Sequence, residues 1–267
     1  MRTAILFILA TFQTSFAGFE HREVGARSRA LGGAYIGLAN DVWAMKYNAG
    51  GLSQLTMNEV SCYYSPQPFG LSELSFGAVA VGLPTNLGVV GLSASKYGFD
   101  LYKELAVSVS FARQIADVGI GISLSYYSVS ILNYGSAGTI GIDVGVYIPI
   151  ISQLTTGLAI SNINAPAIGT AREKLPQMFS VGVVYSTLQS LNIVVDYRKE
   201  TGYDASPKIG FEYWVMESVA LRGGMADEPS QSSGGVGFKY AFVQMDYALS
   251  RHQDLGWSHQ ASITLRW

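Results

Sequence analysis

The chain has 267 residues, 49 % of them hydrophobic and only 13 % charged, with a net charge of −2. Soluble domains carry about a quarter of their residues as charges, so this composition suits a surface less polar than one facing water, and the lack of a basic surplus argues against a nucleic-acid partner. The single cysteine, Cys62, excludes an intrachain disulfide framework and a cysteine-based zinc site.

Met1-Arg2-Thr3 makes a short positive start. Ala4 to Phe12 is an apolar stretch too short to span a bilayer as a helix, and Ser15-Phe16-Ala17 is a small-x-small cleavage site before Gly18. Residues 1–17 therefore read as a secretory signal peptide. No cysteine follows to carry a lipid anchor, and no later apolar run is long enough for a transmembrane helix.

Residues 18–56 do not alternate as strands do, and Gly25, Gly32, Gly33, Gly37, Gly50 and Gly51 make them glycine-rich. From 57 to 267 the pattern changes to period two, about fourteen strand candidates long. Leu105, Val107, Val109 and Phe111 alternate with Ala106, Ser108 and Ser110. Val118, Ile120, Ile122, Leu124 and Tyr126 alternate with Gly119, Gly121 and Ser123, and Ile140, Ile142, Val144, Val146 and Ile148 with Gly141, Asp143 and Gly145. At the end of the chain Ala261, Ile263, Leu265 and Trp267 alternate with Ser262, Thr264 and Arg266. One apolar and one small or polar face is what a strand needs between lipid and a wet lumen. Val79, Val81, Val89 and Val90 blur the parity of the second and third strands.

The links between strands fall into two classes that take turns along the chain. Those near 83–86, 114–116, 149–152, 186–190, 215–217 and 241–242 are tight. Those near 65–73, 98–102, 130–137, 162–174, 199–206, 226–233 and 251–258 are longer. The expected fold is an all-β, transmembrane antiparallel barrel of the bacterial outer membrane. Tight links and both termini would be periplasmic, and the longer links would face outward.

On the luminal parity the second half of the barrel carries Asp196, Arg198, Lys208, Glu212, Arg222, Lys239, Gln244, Asp246 and Arg266. Charges of both signs facing an interior either pair into a structural network or form a selectivity or ligand site. No GxSxG elbow, HExxH helix or P-loop is present, so neither catalysis nor a metal or cofactor is expected. A barrel of this width is too broad for its own side chains to fill. Residues 18–56 are therefore expected inside as a plug or hatch, with Arg27, Arg29 and Asp41 pairing with the luminal charges.

The run ARSRALGGAYIGLANDVWAMKYNAGGL, residues 26–52, resembles the amino-terminal signature of FadL-like outer-membrane barrels, especially the PorV/PorQ family. In that family an ARALGMGGA-type stretch leads to ALADD and an NPAGL hatch motif. Residues 235–267 resemble the closing hairpins of the same family, and Trp267 the terminal aromatic read by the barrel assembly machinery. The resemblance implies fourteen strands and a hatch marked by Gly32, Gly33, Asn48, Ala49 and Gly50, although Ala49 stands where the motif has proline. It implies work in type IX-like protein secretion and surface attachment, or as an outer-membrane scaffold, with secreted proteins as partners. The alternative is FadL-like transport of long-chain fatty acids or other hydrophobic small molecules.

Overall fold

A computed structural model describes residues 18–188 and 190–267, so the expected signal peptide lies outside the described residues. Past the leading segment the chain forms β1 (Glu59–Ser65), β2 (Phe76–Thr85), β3 (Gly88–Phe99), β4 (Tyr102–Ile115), β5 (Val118–Ile131), β6 (Gly135–Ile151) and β7 (Leu154–Ser161). A two-stranded hairpin of β8 (Ala167–Ile168) and β9 (Glu173–Lys174) interrupts the series. Then follow β10 (Met178–Leu188), β11 (Leu191–Glu200), β12 (Ala205–Met216), β13 (Val219–Ala226), β14 (Gln231–Tyr240), β15 (Val243–His252) and β16 (Gly256–Arg266).

All these strands except β8 and β9 pair with their neighbours antiparallel, and β1 pairs with β16 to close a fourteen-stranded barrel. Closure leaves no unpaired edge, as a wall in hydrocarbon requires. The alternation sets the two faces. In β4, Leu105, Val107, Val109 and Phe111 are exposed outward while Ala106, Ser108, Ser110 and Ala112 are buried inward, and β16 repeats the arrangement with Ala261 and Ile263 outward and Gln260, Ser262 and Thr264 inward. At the blurred strands, Ala80 and Val89 face inward while Val79, Val90 and Leu92 face outward.

One end of the barrel collects the tight turns together with Asn58 and Trp267, whose backbones pair with each other. The other end, here the loop end, collects the remaining links. Two links expected to be long are short: residues 100–101 join β3 to β4, and residues 132–134 join β5 to β6. The ladder simply continues past the apolar band, through the Lys103↔Ser130 and Ser130↔Ser136 pairs.

The buried core lies in the lumen and is supplied mostly by the leading segment. Leu31, Tyr35, Ile36, Val42, Trp43, Met45 and Leu52 pack together with wall residues such as Ala80, Val89 and Val194. The segment holds a short helix α1 (Ala26–Ala30), a second short helix α2 (Ala44–Tyr47) and a 3-10 turn at Ala49–Gln54. It begins at the loop end, where Gly18 lies against Tyr102 and Phe19 against Tyr127, 5.0 Å between ring centroids. It leaves at the turn end through Asn58. Gly18, the first described residue, and Trp267 lie at opposite ends of the barrel, because the segment runs the length of the lumen before β1 begins.

Candidate functional site

Inward-facing glycines on the wall make room for the segment. Gly119 and Gly145 lie so close to Gly50 that a Cβ there would come within 2.6 Å of the Gly119 carbonyl and 2.8 Å of the Gly145 carbonyl. Gly157 and Gly182 similarly admit Ile36 and Gly37, and Gly210 and Gly224 admit Leu31 and Gly32. Gly32 and Gly33, at φ 68° and 77°, turn the chain back along the wall in a conformation that side chains disfavour. Asn48 replaces the rigidity of the missing proline. Its Oδ1 accepts from the Gly50 amide at 3.1 Å, capping the 3-10 turn, and its Nδ2 donates to the carbonyls of Ile36 (3.1 Å) and Val146 (2.9 Å). Ala49 follows as the first residue of that turn, buried against Gly121.

A continuous polar network joins segment and wall. The Arg27 guanidinium donates from Nε and Nη2 to Glu212 at 2.7 and 2.8 Å, and from Nη1 to Tyr35, Asn40 and Asp41. Glu212 also accepts from Arg222 Nε at 2.7 Å, and Arg222 Nη1 donates to Asp246 at 2.7 Å. Gln244 bonds Asp246 and accepts from Arg266 Nη1, and Arg266 Nε donates to Glu59 at 2.8 Å. The other oxygen of Glu59 accepts from the Val42 amide at 3.0 Å. The chain of contacts leaves the segment at Arg27, crosses β12, β13, β15, β16 and β1, and returns to it at Val42, bracing the seam where the barrel closes.

A second cluster lies nearer the loop end. Glu23 accepts from Arg198 at 2.7 Å and from Lys208 at 2.5 Å, and His21 stands 3.8 Å away. Asp196 makes a different contact: its Oδ2 accepts from the backbone amides of Tyr35 (2.6 Å) and Ile36 (2.8 Å). Arg29 donates to Ser250 at 3.1 Å and forms no ion pair among the described residues. Asp41 turns to its own segment and not to the wall: Oδ2 accepts from the Tyr35 hydroxyl at 2.5 Å and faces Arg27 at 3.4 Å, and Oδ1 accepts from the Trp43 amide at 3.0 Å. Lys239 keeps the luminal parity but sits on the next-to-last rung at the turn end, exposed, with no ion pair among the described residues. Glu23, Tyr35 and Glu59 were missed by sequence reasoning.

Burial shifts the ionisation of the segment. His21 is pushed down to about 4, first by burial and then by the Arg198 charge, with Lys208 adding to it. Burial alone would raise Glu23, but Arg198 and Lys208 hold it well below the usual glutamate range. Both shifts have the same sign for stability. Released residues 19–24 would take up protons at His21 from about pH 6.5 downward while the packed form resists to about 4, and Glu23 loses its pairing once protonated. Packing of residues 19–24 is therefore complete at neutral pH and weakens as the pH falls through that window. The protection factor of the amides in residues 19–24, the exchange rate of a free peptide at the same pH divided by theirs, should fall several-fold between about pH 7 and pH 5, and His21→Asn should remove most of that change; an unchanged protection factor would contradict the assignment.

Two cavities flank residues 19–23. One of about 120 Å³ is lined by Phe19, Phe76, Tyr97, Tyr127 and Met178, with Lys46 among its polar groups. Lys46 donates to Ser108 at 2.7 Å, and burial lowers its pKa. The other, of about 320 Å³, is lined by Arg29, Arg198, Lys208 and the acids Glu20, Glu23 and Glu200. Among the described residues no cluster of His, Cys, Asp or Glu is placed to hold a metal ion.

An apolar-faced closed barrel threaded by its own leading segment is the class this geometry defines. No family model matches the chain, and no curated protein matches it in sequence. Among solved structures it is similar to the CymD monoaromatic hydrocarbon channel, with a TM-score of 0.71 at 12 % identity over 94 % of this chain and 99 % of that one. It is similar also to the Ralstonia pickettii toluene transporter TbuX (0.65, 14 % identity, 94 % and 98 %) and to a Pseudomonas aeruginosa FadL homologue (0.54, 12 % identity, 87 % and 95 %). The fold is that of FadL-like barrels.

Proposed function

We propose that the protein is an outer-membrane channel for small hydrophobic molecules, with residues 18–56 as its plug. The observation that carries this is the filled lumen with two cavities beside residues 19–23: a molecule entering from the loop end meets the pocket that Phe19 of the plug forms with Phe76, Tyr97 and Tyr127 of the wall. The similar barrels are described as channels or transporters for toluene and other monoaromatic hydrocarbons, which favours solute passage over the secretion role that the PorV/PorQ resemblance implies. Passage needs binding and release only, so the proposal assigns no catalytic step and no cofactor. In this reading the loop end faces outward and Trp267 the periplasm, where it would meet the assembly machinery.

Cells expressing the protein should take up labelled toluene or a labelled long-chain fatty acid several-fold faster than cells lacking it, with their surface proteins unchanged. Equal uptake, together with loss of surface-attached proteins on deletion, would replace the channel reading by the secretion one.

A further inference from the structure

The outward wall carries charge of one sign. On the outward parity of the barrel strands, every charged side chain among the described residues is a cation: Lys96, Lys103, Arg113, Lys199 and Arg251. The acids of these strands, Glu59, Glu104, Asp143, Asp196, Glu200, Glu212 and Asp246, all take the inward parity. Of the five outward cations only Arg113 lies toward the turn end; the other four lie at the loop end.

Strand register shows where these cations are densest. Across β3 to β6 three successive outward rows are wholly apolar: Val90, Phe111, Ile122 and Val144; then Leu92, Val109, Leu124 and Ile142; then Ala94, Val107, Tyr126 and Ile140. The next row reads Lys96, Leu105, Ser128 and Gly138, and the one after it Gly98, Lys103, Ser130 and Ser136. The change from hydrocarbon-facing to hydrogen-bonding surface happens within one row, with Tyr126 at the boundary. A lysine is costly at mid-membrane and nearly free at the interface, so these rows mark the headgroup level. Lys96 and Lys103 are diagonal neighbours, about 7 Å apart at Cβ. Lys96 has no ion pair among the described residues, and Lys103 reaches only the fully solvated Asp100 at 3.1 Å, a weak exposed pair.

We propose that this patch, with Lys96 and Lys103 as its charges and Ser128, Ser130 and Ser136 as its hydroxyl donors, docks the phosphate of a lipid headgroup. Two ammonium groups and adjacent hydroxyls supply donors to several oxygens of one phosphate group. Among the described residues the outward rows of the strands carry no acid, and the one carboxylate beside the patch, Asp100, is held by Lys103 in a solvated pair that an anionic headgroup can displace. The proposal requires that the barrel span a bilayer, and is independent of what passes through it.

The test uses the full chain from Gly18, folded into phosphatidylcholine nanodiscs containing either phosphatidic acid or diacylglycerol, which lacks the phosphate. Native mass spectrometry reads the lipid retained after release into detergent. Phosphatidic acid should be retained well above diacylglycerol, and Lys96→Ser/Lys103→Ser should reduce its retention about tenfold, while Arg113→Ser leaves it unchanged. The gel-mobility shift of folded barrels reports that each variant is intact, and Ser128→Ala/Ser130→Ala gives a second, uncharged perturbation expected to weaken retention less. Equal retention of the two lipids, equal retention by the lysine double variant, or an equal loss in Arg113→Ser would overturn the proposal.

Discussion

Replacing Glu212 by alanine should destabilise the folded protein by about 3–5 kcal/mol, the range for removing one partner from a buried ion pair. The size follows from what is left behind. Glu212 is completely buried and accepts three charge-assisted bonds, two from Arg27 and one from Arg222. Without it Arg222 keeps only Asp246, and Arg27 only Asp41 at 3.4 Å and its neutral partners Tyr35 and Asn40. A charge held in the lumen with too few partners is costlier than the pair was favourable. The double variant Glu212→Leu/Arg27→Met removes both charges and should recover much of the loss. Urea titration monitored by the gel-mobility shift measures both. If Glu212→Ala unfolds at the wild-type midpoint, the network is ornamental and the segment is held by packing alone.

How much of this was readable in advance depends on what each side chain faces. Strands β4, β5, β6 and β16 were legible because one face meets hydrocarbon and the other small or polar groups, so chemistry and geometry share one period. In β2 and β3 the inward Ala80 and Val89 pack against the apolar side of the leading segment, so both faces are apolar and the parity disappears from the sequence. The loop-end links at 100–101 and 132–134 are shorter than the sequence pattern predicts for a related reason. Hydrophobicity ends near Tyr126 and Ile140, but the hydrogen-bond ladder runs on through Ser128, Ser130 and Ser136.

The luminal charges show what parity can and cannot tell. It placed Glu212, Arg222, Asp246 and Arg266 on the face where they meet. It gave Lys239 the same face without showing that this residue lies at the rim, since period two specifies a side and no height. Glu59 opens β1 on the inward parity of Ser61 and Tyr63, a signal that the sequence does carry. Glu23 had no such signal. It lies ahead of any strand, and its partners Arg198 and Lys208 are 175 and 185 residues away in the chain.

Gly145→Val should open the barrel without unfolding it. Valine suits a strand better than glycine does, so the wall itself loses nothing in β-propensity. Inside the lumen the new Cβ would come within 2.6 Å of the Ala49 amide nitrogen and 2.9 Å of that of Gly50. These are backbone atoms, fixed by the Asn48 cap and its bond to Val146, and they cannot swing aside as a side-chain tip does. Overpacking of this kind costs about 1–3 kcal/mol, and adding Gly157→Val, which meets the Ile36 carbonyl and the Nδ2 of the same Asn48, should increase it further. The leading segment is then expected to shift from the wall. In planar bilayers the wild type should pass little ionic current and the double variant should show discrete conductance steps, because an unfilled barrel of this width exceeds what its own side chains close. A double variant that stays as silent as the wild type, with the mobility shift of a folded barrel, would mean that the segment does not block the lumen at Asn48.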